Sequence, residues 1–156
     1  MRCWRGAHDH DGFTLLECMV AATLIALLAA IAVPNLLALM PKYRLNGATR
    51  EILGDLMEAR MKAISLNRRV QVFFKDSDHY EICDDANNDG TIEDCEGTAV
   101  IKHLQANYPG ITLGSTNNPI FSPRGTATNL ATITVTNASK ESKTLTISIT
   151  GRVKIN

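Results

Sequence analysis

The sequence predicts an α+β protein in which a long N-terminal helix packs on an antiparallel β-sheet domain. Three observations predict it. An almost unbroken apolar run, residues 13–33, is followed by Leu45, Ala48, Ile52, Leu56, Ala59, Ala63 and Leu66 at steps of three and four. That is a helix whose second half carries one apolar stripe. After Arg69 the period changes to two, beginning with Val70, Val72 and Phe74, which is the period of a strand. Near the C-terminus, residues 131–136 and 143–149 alternate β-branched side chains around a polar turn at 137–142, the pattern of an antiparallel hairpin.

The apolar run is long enough to cross a bilayer core of about 30 Å as one helix. Glu17 interrupts it near its start. An ionised carboxylate costs about 2.5–3.5 kcal/mol at the centre of such a helix and less near an end. It either has a partner or is tolerated at the membrane edge. Pro34 and Pro41 bracket the exit and predict a bend there. Met57 and Met61 lie beside the stripe and read as core filler. Asn67, Arg68 and Arg69 end the helix, with the basic residues suited to its dipole.

Residues 70–75 and 79–83 form a predicted hairpin around an Asp76-Ser77-Asp78 turn. Further strands are predicted at 100–104, 111–113 and 120–121, with a turn at 107–110. Gly151 allows a turn before the last strand, 152–155.

The chain has 156 residues, 45% hydrophobic, with 16 basic and 16 acidic side chains. A net charge of zero gives no strong overall attraction to nucleic acid, and 5% aromatic content argues against a base-stacking platform. No G-x-S-x-G, glycine-rich phosphate loop or C-x-x-C occurs, and His79 and His103 stand isolated. No enzyme is expected.

Three sets of residues are candidate sites. Cys83 and Cys95 bracket a polar, turn-rich loop. Bridged, they imply an oxidising compartment such as the bacterial periplasm; the alternative is two reduced thiols that flank a loop. Within that loop Asp85, Asn87, Asp89, Thr91 and Glu96, with Gly90 at the turn, have the spacing of a calcium loop. Alternate oxygens converge, and Glu96 closes the shell. Strand patterns rather than helices flank it, and an acidic hairpin tip that needs no ion is the alternative. At the C-terminus Arg152 and Lys154 share one face of a strand. They are either a weak, salt-dependent contact for DNA phosphates or ordinary solvated charges.

The N-terminal junction is the most specific feature. Gly12, Phe13, Thr14, Leu15, Leu16 and Glu17 open the apolar run directly after a short polar leader. The small residue at which a peptidase cuts therefore precedes the apolar core, whereas in a secretory signal it follows the core. This junction resembles that of the type IV pilin and pseudopilin family. The helix segment 55–64 and the tail motifs at 121–125 and 151–154 resemble the GspH/FimT group of minor pilins. The leader departs from the usual pattern at Asp11, where a basic or neutral residue is customary.

The resemblance implies four segments: a leader at 1–12, a transmembrane and filament-core helix at 13–40, an amphipathic helix half at 41–69 and an antiparallel β domain at 70–156. It implies cleavage between Gly12 and Phe13 by a prepilin peptidase and N-methylation of Phe13. Glu17 would pair with the Phe13 amine of a neighbouring subunit. Charges flanking the span leave its orientation ambiguous. The resemblance and the cysteine pair place the chain once through the bacterial inner membrane, in contact with its lipid, with the β domain in the periplasm. The implied function is a structural minor pilin or pseudopilin of a type IV pilus or type II secretion system, assembled with other pilin or pseudopilin subunits. The alternative is a DNA-binding minor pilin of an uptake pilus.

Overall fold

The computed structural model describes residues 13–87, 90, 92, 95 and 99–156. The chain divides into two compact units, one ending at Leu39 and the other spanning Met40–Asn156. Helix α1, Leu15–Leu66, contributes to both and continues through Pro34 and Pro41.

Its N-terminus is capped by the junction motif itself. The Glu17 N–H donates to the Thr14 hydroxyl at 3.2 Å, so Thr14 and Glu17 occupy the first and last positions of a capping box. Every residue of 13–39 is exposed, and the helix is long and apolar enough to cross a membrane.

The C-terminus of α1 is a sharp stop. Asn67 adopts φ 52°. Its N–H donates to the Ile64 carbonyl and the Arg68 N–H to the Ala63 carbonyl, which is the Schellman pattern with asparagine in the left-handed position. The basic pair therefore lies beyond the last turn, and Asn67, not the charges, ends the helix.

In the second unit α1 buries Leu45, Ala48, Ile52, Leu56, Ala59 and Ala63, as the stripe predicts. Leu66 is 45% exposed, and Met57 and Met61 are 48% and 62% exposed. These three sit on the rim and do not fill the core. Two polar residues, Thr49 and Asp55, are buried instead. The Thr49 hydroxyl donates back to the Leu45 carbonyl at 2.7 Å, which removes its need for water.

Two antiparallel sheets cover the stripe. The strands are β1 Val70–Phe73, β2 His79–Asp84, β3 Val100–His103, β4 Thr112–Ser115, β5 Ile120–Phe121, β6 Ala127–Thr128, β7 Thr132–Thr136, β8 Ser142–Ile147 and β9 Val153–Ile155. A one-turn helix, α2 Leu104–Asn107, follows β3 directly. The first sheet has the order β3-β2-β1-β5-β6 and the second β4-β7-β8-β9. Val70, Val72, Tyr80 and Phe121 from the first sheet join Ile133, Val135, Leu145 and Ile147 from the second in one core with Ile52 and Leu56. Each such side chain stabilises by about 1.5–3 kcal/mol.

Both predicted hairpins form. β1 pairs with β2, and β7 pairs with β8. The strand expected at 100–104 stops at His103, where α2 begins, and β6 completes the first sheet beside β5.

Candidate functional site

The three segments that carry the GspH/FimT resemblance meet in space. Arg60, on the packed half of α1, donates from Nε to the Gly125 carbonyl at 2.8 Å and from a terminal nitrogen to the Thr150 carbonyl at 3.4 Å. Gly125 and Gly151 both have positive φ, 77° and 73°. A Cβ on Gly151 would stand 2.1 Å from the Gly125 carbonyl oxygen, so only glycine admits this approach. One guanidinium thus satisfies two loop carbonyls and ties the tail to the helix.

A second polar link is buried. The Tyr80 hydroxyl donates to Asp55, and Lys102 Nζ lies 3.4 Å from the other Asp55 oxygen. Burial, followed by the Asp55 contact, pushes the Tyr80 hydroxyl well above its ordinary pKa. Lys62 reaches Asp84 at 3.1 Å. Both links join α1 to the first sheet through partners distant in sequence.

At the other end of the chain, Phe13 is 80% exposed and Glu17 lies on the uncovered part of α1. Gly12 falls outside the described residues.

Cys83 and Cys95 form a disulfide, with Cα atoms 5.1 Å apart. It closes a loop with a sequence separation of 12. In the chain-entropy account such a closure stabilises by about 3 kcal/mol.

Of the expected calcium ligands, Asp85 and Asn87 lie within the described residues, while Asp89, Thr91 and Glu96 fall outside them. Asp85 is 1% exposed. Its Oδ2 accepts from the Gly90 N–H at 3.0 Å, and its Oδ1 is buried without a hydrogen-bond partner among the described residues. Gly90 has φ 88°, the sharp turn that the spacing requires. Arg69 donates to the Gly90 carbonyl and brings a positive charge to the base of the loop.

Arg152 and Lys154 are exposed and line one open groove of about 680 Å³ with Thr146, Ser148, Thr150, Val153 and Asn156. Arg152 precedes β9, whereas Lys154 lies within it, opposite Thr146.

The two isolated histidines are not isolated in the fold. The β2–β3 register sets His79 opposite His103, with ring centroids 5.4 Å apart. His79 Nδ1 also lies 3.0 Å from Asp78 and 3.6 Å from Asp76. The hydrogen bond with Asp78 raises the imidazole above its ordinary pKa and lowers that carboxyl below its own. No spacing rule finds this cluster. The only sequence signal is two histidines at facing positions of adjacent predicted strands.

Comparison with known proteins agrees with this geometry. The family model for the type II transport protein GspH matches residues 48–151, two thirds of the chain. The prokaryotic N-terminal methylation motif matches residues 8–33. No curated protein matches the chain. Two crystal structures of the type IV minor pilin FimU of Pseudomonas aeruginosa (strain PAO1) are similar. One has a TM-score of 0.57 at 21% identity, over 75% of this chain and 91% of that one. The other has a TM-score of 0.53 at 22% identity, over 72% and 92%. At that identity the likeness shows a shared fold. The family match is what decides membership: the chain belongs to the GspH family, among the minor pilins and pseudopilins of type IV pili and type II secretion.

Proposed function

We propose that this chain is a structural, non-catalytic subunit made as a membrane-held precursor. A prepilin peptidase cuts between Gly12 and Phe13, and Phe13 is then N-methylated. Residues 13–40 cross the bacterial inner membrane with the β domain in the periplasm, and the mature chain enters a pilus or pseudopilus among other subunits. The observation that carries this reading is the methylation-motif match at 8–33 on a helix whose apolar residues 13–39 are all exposed. Such a surface needs lipid or a neighbouring subunit to cover it.

Glu17 supplies the specificity. A free α-amine has a pKa of about 8 and is largely cationic at neutral pH, so the amine of a neighbour's Phe13 neutralises the carboxylate. Removing one partner of such a buried pair costs about 3–5 kcal/mol. Glu17→Ala is therefore expected to be inserted and cut normally but to be nearly absent from sheared filaments. Mass spectrometry of the mature N-terminus and immunoblots of the filament fraction check both halves. Normal incorporation would remove the pairing, and a mature chain still beginning at Met1 would remove the whole reading.

DNA binding is the second reading, supported by the groove that Arg152 and Lys154 share. It predicts salt-dependent retention of duplex DNA, lost when both residues are replaced by alanine. Calcium in the 85–96 loop is supported by the buried Asp85 Oδ1, which has no partner among the described residues, because a buried carboxylate oxygen is costly until something satisfies it. Calorimetric titration with calcium reads it: heat that vanishes in Asp85→Asn supports the ion, and no heat at millimolar calcium removes it.

A further inference from the structure

We propose that the turn between β1 and β2, together with the end of β3, binds a divalent transition-metal ion of the zinc class through His79, Asp78, Asp76 and His103. The donor set is two imidazoles and two carboxylates, which suits zinc and its neighbours rather than calcium or magnesium. The ligand atoms of Asp76, Asp78 and His79 all lie within 4.8 Å of one another. Donors about 2.0–2.2 Å from a zinc ion stand about 3.4 Å apart along the edges of its tetrahedron. The separations from His79 Nδ1, 3.0 Å to Asp78 and 3.6 Å to Asp76, straddle that value. His103 completes the set by rotation of its exposed ring, since its nitrogens stand outside that 4.8 Å group. It faces His79 across the strand pair, is exposed, and caps α2 without a side-chain hydrogen bond.

The turn is held in place by other elements. The Leu104 N–H donates to the Asp78 carbonyl at 2.9 Å, and the Leu113 N–H donates to the Ser77 carbonyl at 2.7 Å. Two nearby ammonium groups are directed to other acids: Lys75 lies 2.9 Å from Glu81, and Lys102 lies 3.4 Å from Asp55. An ion here would lock the β1–β2 turn to the β3–α2 junction, which no disulfide reaches among the described residues.

The test titrates zinc chloride into the full chain in detergent by calorimetry. His79→Ala, His103→Ala, Asp78→Asn and the double histidine variant run beside it. Circular dichroism and melting without metal come first, to establish that each variant folds. Any zinc held by His8 and His10 of the leader is common to every sample and cancels. The wild type is expected to take up one zinc that His79→Ala lacks. His103→Ala and Asp78→Asn should bind it about tenfold or more weakly. Zinc should raise the melting temperature of the wild type and not that of the double variant, and calcium should not compete. Equal stoichiometry and affinity in the wild type and the double variant, or no uptake by the wild type, would overturn the site. If Asp78→Asn does not fold, the exposed His103→Ala decides.

Discussion

Between Leu15 and Leu39 every residue of α1 is exposed, whereas between Leu45 and Ala63 six apolar and two polar side chains are buried. The backbone is helical throughout, so the difference lies in what the side chains ask for. Apart from Glu17, Thr23 and Asn35 the first half is apolar all round, and no described residue covers it. The second half narrows to a stripe and uses small residues. Ala48, Ala59 and Ala63 are each 0% exposed and leave no room for a larger group. One half of the helix is left bare by the described residues, and the other is covered by strands of the same molecule.

The sharpest way to break that contrast is a matched pair of truncations. Ile52→Ala is expected to destabilise Met40–Asn156 by about 2–5 kcal/mol, because it opens a cavity in a fully buried site. Leu24→Ala should leave that unit unchanged within about 0.5 kcal/mol. Denaturant unfolding of the full chain in detergent measures both. An effect of similar size from the two would mean that the halves are not energetically separate.

The packed half is tested next at its tie to the tail. Gly151→Ala places a Cβ against the Gly125 carbonyl and forces a positive φ on alanine, for an expected loss of about 2–3 kcal/mol. Gly54→Ala is its control. A Cβ there meets nothing within 4 Å, and this position should gain up to about 1 kcal/mol of helix propensity.

The smallest effect concerns Tyr80. Its folded-state pKa is raised above the ordinary 10.0, so the folded chain keeps a proton that the unfolded chain gives up. This contribution is fully present below about pH 10 and declines as pH rises further, by about 1.4 kcal/mol per pH unit while only the unfolded state is ionised. Tyr80→Phe should cost about 1–3 kcal/mol at neutral pH, since Asp55 loses a donor. It should also flatten the alkaline fall in stability. An unchanged alkaline slope would show that the hydroxyl is not protected in the folded state.

The fold class, the long apolar helix, the helical stripe and both hairpins were legible because each rests on local periodicity. The features that were not legible depend on partners far along the chain. Asp55 breaks the expected polarity of its helix face because Tyr80 and Lys102 come from the sheet to meet it. Met57 and Met61 sit at helical spacing beside the stripe, but the sheets do not extend over them. Helix α2 is a single turn and β6 only two residues, too short for any period to register. The histidine pair is a product of strand register, which composition cannot show.

Asn67 sets where the first sheet joins the packed half of α1. Val70 begins only three residues later and is fully buried in the first sheet. One more helical turn would consume 67–69, shorten the connection and drag the four-residue β1 along with it. Slipping that strand by a single position would turn Val70 and Val72 from the interior to the outer face. A lone asparagine thus acts as the length gauge between the packed half of α1 and the first strand of the sheet that covers it.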